Sequence, residues 1–216
     1  MLMHHLRPVP DLLMDSAASS VLIVDDDEDV LRALERVLRQ AGFAVETFTS
    51  ASAFLKRPIS DTPSCLILDL KLPDVDGLQL QEAMAQANIQ MPIVFVSGRS
   101  DVASTASAMR FGAVDFLEKP VDEAVLIEAV SRALDRDTAS RLRRSQMAGA
   151  RERLARLTPR ELDVCRLVAR GLLNKQIADE LGVSQQTVKI HRGRVMHKLE
   201  VGSVAELVRL LSFIEG

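Results

Sequence analysis

Apolar positions follow two alternating patterns through the first two thirds of the chain. Short runs rich in branched apolar residues stand at 21–25, 44–48, 65–69, 92–96 and 113–117. Each run precedes a segment whose apolar residues recur at helical spacing, which after the first run are Leu31, Leu34, Val37, Leu38 and Ala41. Strands that alternate with helices indicate βαβ units. This region is therefore predicted to be an α/β domain with a doubly wound, five-stranded parallel sheet.

The composition of the runs also predicts where each strand lies in the sheet. The first, third and fourth runs are almost wholly apolar, as expected for strands that are buried on both faces. The second run alternates apolar and polar residues, which predicts a strand at the edge of the sheet.

The last third of the chain carries helix signals and no strand signal. Thr158, Pro159 and Glu161 form a helix start, with a capping residue, a proline in the first turn and an acid at the third position. Gly171 and Gly182 are predicted to end the first two helices. Asn174 is predicted to begin the second helix, and Ser184 and Ser203 to cap the third and fourth. Four short helices with a glycine-containing turn predict a small all-α helix-turn-helix domain.

These patterns divide the 216 residues into four segments. We predict an N-terminal tail at 1–19, the α/β domain at 20–137, a solvated helical linker at 138–153 and the helical domain at 154–216. Residues 1–150 carry 15 basic and 22 acidic residues, whereas 151–216 carry 12 and 8. The net charges of −7 and +4 predict a polyanionic partner for the second domain.

Two further features exclude other classes of protein. Cys65 and Cys165 stand far apart in apolar surroundings, so we interpret them as buried thiols in a reducing compartment. No apolar run approaches the length of a membrane-spanning helix, and the tail lacks the apolar core of a secretion signal.

Polar residues stand where the predicted strands end. Asp25 and Asp26 end the first strand, Asp69 ends the third, Ser97 ends the fourth and Lys119 follows the fifth. The carboxyl ends of parallel strands share one edge of a sheet, so these side chains should converge there. Three neighbouring carboxylates repel one another unless they surround a hard cation with oxygen ligands, most simply Mg²⁺. An aspartate at such a site can act as a nucleophile towards a phosphoryl group, while the cation and Lys119 offset the charge on the transferred oxygens.

Four segments place this chemistry in a known family. The stretches LIVDDDEDV, LILDLKLPDVDGLQL, VFVSGRSDV and GAVDFLEKP resemble the receiver domain of bacterial two-component response regulators, and the NarL/FixJ family in particular. The resemblance covers roughly residues 20–137 and implies a flavodoxin-like fold.

The resemblance implies a role for each polar residue at the sheet edge. Asp69 is the phosphoacceptor, and Asp25, Asp26, Asp69 and the backbone carbonyl of Lys71 hold Mg²⁺. Lys119, the switch hydroxyl of Ser97 and the switch aromatic ring of Phe116 complete the site. Lys71 and Arg99, two residues after Asp69 and Ser97, are either ordinary surface charges or residues that tune the lifetime of the phosphate. A competing interpretation is a haloacid dehalogenase-type phosphatase, a family with an Asp-x-Asp-x-Thr/Val run after its first strand. Asp25 and Asp27 match the aspartate pair, but Asp29 stands where that run has Thr or Val.

The helical domain resembles the LuxR-type helix-turn-helix over roughly 154–214. Its third helix is predicted to be the recognition helix, with Val188, Val195 and Leu199 as an inward apolar stripe and basic residues on its other faces. We predict Thr187, Val188, Lys189 and Arg192 as base readers. Lys198, together with Asn174 or Lys175, is predicted to contact phosphates. The remaining predicted DNA-binding residues are Ser184, His191 and Arg194. Gly193, in the middle of this helix, either permits close approach to DNA or is simply tolerated.

The resemblance implies a phosphorylation-activated transcription regulator in the cytoplasm of a bacterium. Its partners would be a sensor histidine kinase, double-stranded promoter DNA and RNA polymerase. Phosphorylation would favour a homodimer through the face at roughly 101–117. The alternative is a phosphorylation-independent DNA-binding regulator that uses the α/β domain for dimerisation. In neither case is the protein expected to be an enzyme with a separate substrate.

Overall fold

The computed structural model describes residues 19–58, 60–98 and 102–215. Most of the predicted tail, Arg99 and the start of the predicted dimer face therefore lie outside the described residues. The chain divides into two compact units between Ser140 and Arg141.

Five strands alternate with helices in the described part of the first unit. The elements are β1 (Ser20–Val24), α1 (Glu28–Gln40), β2 (Ala44–Phe48), α2 (Ala51–Leu55), β3 (Ser64–Leu68), α3 (Gly77–Gln86), β4 (Ile93–Ser97), α4 (Val102–Arg110), β5 (Asp115–Glu118) and α5 (Glu123–Ala155). The predicted linker at 138–153 is helical, because α5 continues through it without a break.

All five strands are parallel, in the order β2-β1-β3-β4-β5. The predicted fold is confirmed, and β2 lies at an edge as its alternating pattern predicted. Val24 of β1 pairs with Leu68 of β3, and Ser97 of β4 pairs with Glu118 of β5. This register brings the four strand ends β1, β3, β4 and β5 side by side.

Each face of the sheet has its own apolar core. Val21, Ile23, Cys65 and Ile67 point to one face and pack with the apolar stripes of α1 and α5. Leu22, Val24, Leu66 and Leu68 point to the other face and pack with α2, α3 and α4. β1, β3 and β4 are almost wholly buried, because helices cover the sheet on both sides.

Helix α1 begins at an aspartate cap. The Asp27 carboxylate caps the helix by accepting from the amides of Asp29 and Val30, at 2.8 and 3.3 Å. Leu31, Leu34, Val37 and Leu38 are buried. Ala41, predicted to share this stripe, is instead the exposed C-cap of the helix.

The second unit contains the end of α5 and four further helices. These are α6 (Pro159–Ala169), α7 (Asn174–Leu181), α8 (Gln185–Leu199) and α9 (Val204–Glu215). Thr158, Ser184 and Ser203 each accept a hydrogen bond from a backbone amide of the following first turn, as predicted. The core of the unit includes Val164, Cys165, Ile177 and the predicted stripe of α8, which is Val188, Val195 and Leu199.

Candidate functional site

The sheet delivers polar side chains to its carboxyl edge through backbone pairing that continues beyond the strands. The Asp25 amide donates to the Phe48 carbonyl (3.1 Å), and the Asp69 amide donates to the Val24 carbonyl (2.9 Å). Across β4 and β5, the Lys119 amide donates to the Ser97 carbonyl (2.9 Å). These bonds fix the main chain at each position, so the side chains converge as the sequence predicted.

Three carboxylates and one ammonium form the centre of this edge. Oxygens of Asp25, Asp26 and Asp69 lie within 4.8 Å of one another. The Lys119 Nζ atom lies 2.5 Å from Asp25 Oδ2 and 3.7 Å from Asp69 Oδ2. Asp25 and Asp69 are buried, whereas Asp26 is exposed and opens the cluster to solvent.

The electrostatics of the cluster leave an excess of negative charge. Burial raises the pKa of the Asp69 carboxyl above its ordinary value of 3.8; the Lys119 ammonium opposes this, while Asp25 and Asp26 add to it. Among the described residues at this edge, one ammonium faces three carboxylates and cannot balance them. Three oxygen donors with one side open to solvent fit a hard divalent cation such as Mg²⁺, which retains water and phosphate ligands.

The loop after Asp69 is held against the site by a close backbone contact. The Gly77 amide donates to the Leu70 carbonyl at 2.8 Å, and Lys71 pairs with Asp76 in an isolated bridge. A Cβ atom at Gly77 would lie 2.4 Å from the Asp69 carbonyl oxygen, so only glycine fits at this position. The Lys71 side chain itself is exposed.

Ser97 and Phe116 lie on neighbouring strands at the same edge. Ser97 is buried at the end of β4. The half-buried Phe116 ring stacks on Phe95, with ring centroids 6.0 Å apart. The peptide bond between Lys119 and Pro120 is cis.

Asp27 plays no part in the acidic cluster. Its carboxylate is engaged in capping α1, and its amide donates to Asp25 Oδ1 at 3.0 Å. The paired-aspartate pattern of a phosphatase would require this side chain in the site, so the geometry argues against that reading.

Helix α8 presents a mixed surface. Among the residues predicted to bind DNA, Lys189, Arg194 and Lys175 are exposed. The hydroxyls of Ser184 and Thr187 lie 2.9 Å apart at the helix start, where Ser184 is the cap. The prediction that Val188 reads bases is wrong, because this side chain is fully buried in the core.

Four other predicted DNA contacts, Asn174, His191, Arg192 and Lys198, are half-buried. The Arg192 guanidinium donates to Asn174 Oδ1 at 3.1 Å, which joins α8 to the start of α7. His191 is half-buried, and its Nδ1 has no hydrogen-bond partner among the residues that the structure describes. Lys198 donates from its Nζ atom to Glu161 Oε2 at 2.6 Å, within the protein.

Two further exposed residues of α8, Gln186 and Ile190, were not predicted as DNA contacts. The Ile190 side chain is 48% exposed. They are four residues apart and lie opposite the buried stripe of Val188 and Val195, so helical spacing could have identified them.

Comparisons with known proteins agree with both units. Residues 21–131 match the response regulator receiver domain, and residues 155–211 match the luxR family of bacterial regulatory proteins. Nodulation protein W of Bradyrhizobium diazoefficiens is 42% identical over 195 residues, which are 90% of this chain and 86% of that protein. The transcriptional regulatory protein FixJ of Rhizobium meliloti is 39% identical over 191 residues, which are 88% of this chain and 94% of that protein. A structure of the response regulator StyR, 41% identical, covers 90% of this chain and 98% of its own with a TM-score of 0.82.

A receiver domain joined to a LuxR-type helix-turn-helix defines a class of DNA-binding regulators. This chain belongs to that class, the FixJ-like transcriptional response regulators, as the resemblance predicted. Its family acts in transcription and is not a family of enzymes. In the part of the chain that the structure describes, no helix has both the length and the apolar character to cross a membrane.

Proposed function

We propose that this regulator is controlled by phosphorylation of Asp69, with a sensor histidine kinase as the phosphodonor. The observation that carries the proposal is the convergence of Asp25, Asp26, Asp69 and Lys119 at one edge of the sheet. This set offers a nucleophile, a cation-binding cluster and a fixed ammonium within a few ångströms.

The proposed transfer is a displacement at phosphorus. A carboxylate oxygen of Asp69 forms a bond to phosphorus as the phosphorus–nitrogen bond of the kinase phosphohistidine breaks. The bonding pair remains on the imidazole nitrogen. Lys119 donates hydrogen bonds to the phosphoryl oxygens, for which its position 3.7 Å from Asp69 is suited.

The same carboxylates supply the metal ligands. Asp25, Asp26, Asp69 and the backbone carbonyl of Lys71 would hold Mg²⁺. When bound, Mg²⁺ supplies positive charge that offsets the negative charge of the phosphoryl oxygens.

The proposed output is a change in dimerisation and promoter binding. Ser97 donates to the arriving phosphoryl group, and Phe116 moves from its place against Phe95. This shift alters the neighbouring α4 surface, where Val102, Met109 and Phe111 are exposed apolar residues. Dimers formed there place two helix-turn-helix units on paired DNA half-sites, from which RNA polymerase is recruited or excluded.

The experiment compares the full-length protein with Asp69→Asn. Each is incubated with Mg²⁺ and acetyl phosphate, and its affinity is measured for a duplex enriched from random sequence by the parent protein. We expect the parent to gain acid-labile phosphate, to form dimers and to bind this duplex more tightly, and the variant to do none of these. Equal binding by both proteins, with phosphate on the parent, would favour the alternative in which the receiver only mediates dimerisation.

A further inference from the structure

The first turn of α6 contacts both helices of the helix-turn-helix. The Arg160 guanidinium donates to the Leu181 carbonyl at the end of α7, at 2.5 Å. At the next position, Glu161 accepts from Lys198, near the end of α8. Two neighbouring side chains of α6 therefore bind the C-terminal ends of α7 and α8 by hydrogen bonds.

Glu161 is an internal carboxylate whose hydrogen bonds are supplied by the protein. It is only 2% exposed. Its Oε2 atom accepts from the Thr158 amide at 2.9 Å and from Lys198 Nζ at 2.6 Å. A buried carboxylate requires such partners, because its charge has lost the stabilisation of water.

Lys198 is directed towards this carboxylate. Its Nζ atom also donates to the Arg156 carbonyl at 3.1 Å, and its side chain is only 33% exposed. The ammonium therefore joins α8 to the beginning of α6 and to the turn that precedes it.

The cost of breaking this pair determines which role Lys198 can take. Turning the ammonium outward to a DNA phosphate would leave Glu161 buried without a cation, which is strongly unfavourable. The gain would be one exposed phosphate contact, made in solvent and weakened by salt. The internal pair therefore outweighs a DNA contact.

We propose that Glu161 and Lys198 are positioning residues for DNA recognition, and that Lys198 does not contact DNA. This replaces the expectation that Lys198 binds a phosphate. The Ser184 cap fixes the start of α8, and the pair fixes its end, so the exposed face with Lys189 and Ile190 is held in one orientation. Helical residues lie about 100° apart around the axis. A small rotation or tilt of α8 would therefore move these side chains away from the base edges while leaving them near the backbone.

The test compares Lys198→Met and Glu161→Gln with the parent in the full-length chain. Affinities are measured for the enriched duplex and for a shuffled duplex of equal length, across a salt series and under identical phosphodonor and Mg²⁺ conditions. Folding is monitored by circular dichroism at a temperature well below the unfolding transition. Phosphate incorporation at Asp69 is measured separately, so that a failure of phosphorylation is not mistaken for a failure of this proposal.

We expect both variants to lose about tenfold in affinity for the enriched duplex. Binding to the shuffled duplex and the salt slope should not change, because the phosphate contacts remain. The double variant should bind no more weakly than the weaker single variant, since both changes remove one interaction. Arg194→Met is the matched control. It removes an exposed cation from the same helix, and this loss is expected to reduce the salt slope.

Two results would overturn the proposal. Equal losses on both duplexes with a salt slope reduced by about one unit would make Lys198 a phosphate contact. Unchanged affinities for both duplexes in folded variants would leave the pair with a stabilising role only. If Lys198→Met does not fold, Glu161→Gln decides alone, because glutamine keeps an acceptor for the Thr158 amide.

Discussion

Lys119 and Lys198 each hold an ammonium within hydrogen-bonding distance of a buried carboxylate, but their surroundings differ. Lys119 lies 2.5 Å from Asp25 within a group of three carboxylates. Lys198 lies 2.6 Å from Glu161, a single carboxylate that also accepts from a backbone amide. The first group has surplus negative charge, and the second is balanced.

The pKa values of the two sites move in opposite directions. Burial raises the pKa of Asp69, with Lys119 only partly opposing it. The hydrogen bond from Lys198 and that from the Thr158 amide lower the pKa of Glu161 to about 2. An unbalanced carboxylate cluster is suited to recruit further cations and a reacting group, whereas a balanced pair is suited to hold structure.

Single substitutions among the five consecutive acidic residues at 25–29 should distinguish cation binding from structural support most clearly. Asp25→Ala and Asp26→Ala are expected to reduce Mg²⁺-dependent phosphorylation by about a hundredfold, because each removes part of the charge cluster. Asp27→Ala is the matched control and should retain phosphorylation while losing about 1 kcal/mol of stability with its helix cap. The measurement is incorporation of acid-labile phosphate over time. A loss in Asp27→Ala equal to that in Asp26→Ala would show that the run acts as one site.

The pair of Glu161 and Lys198 should make the stability of the protein depend on pH in the acid range. The pKa of folded Glu161, about 2, lies below the ordinary value of 4.5. Its stabilising contribution is therefore complete above about pH 4.5 and is lost as the pH falls towards 2. The Tm of the parent should exceed that of Glu161→Gln by on the order of 5 °C at pH 6, and this difference should shrink below pH 4.

The control for the acid series is an exposed pair. Glu152 bonds Arg156 at the surface, so Glu152→Gln should change Tm little at any pH. A gap between parent and Glu161→Gln that stays constant down to pH 2 would contradict the assigned pKa shift.

The loop after Asp69 should not accommodate a side chain at Gly77. Gly77→Ala is expected to destabilise the protein by about 1–3 kcal/mol, because the new Cβ collides with the Asp69 carbonyl. Denaturant unfolding measures the loss, and the phosphorylation rate should fall with it as Asp69 is displaced. Wild-type stability and rate in this variant would mean that the loop moves freely, and that the site is less fixed than the balanced pair.

Gly193 should show the smallest effect, of opposite sign. A Cβ atom at this position meets nothing within 4 Å, so Gly193→Ala should stabilise α8 by about 1 kcal/mol. Affinity for the enriched duplex decides between the two readings of this glycine: a loss indicates close approach to DNA, and no change indicates a tolerated glycine. A lower Tm would contradict the open surroundings seen here.

The fold was predictable because its signals are local and repeated. Each strand run lies within one or two residues of an observed strand, and caps such as Thr158 and Ser184 were identified by their position before an apolar pattern. The predicted fifth strand begins two residues before β5. Ala113, with which the run begins, is apolar and buried in the core although it precedes the strand.

The cluster at the sheet edge was predictable for a topological reason, since parallel strands bring their ends together. The surroundings of α8 were harder to predict. Val188 was assigned both to the core and to DNA, and only its burial decides between them. Lys198 reads as one more basic residue, because its partner Glu161 lies 37 residues away on another helix.

The register of the sheet makes the position of Asp69 depend on correct folding. Val24 pairs with Leu68, so Asp25 and Asp69 stand at matching positions on neighbouring strands. A slip of one residue between β1 and β3 would turn one of the two side chains to the opposite face of the sheet. If Asp69 is the phosphoacceptor, a misfolded chain cannot receive the signal. The fraction of molecules in a preparation that takes up phosphate would then measure the fraction that is natively folded.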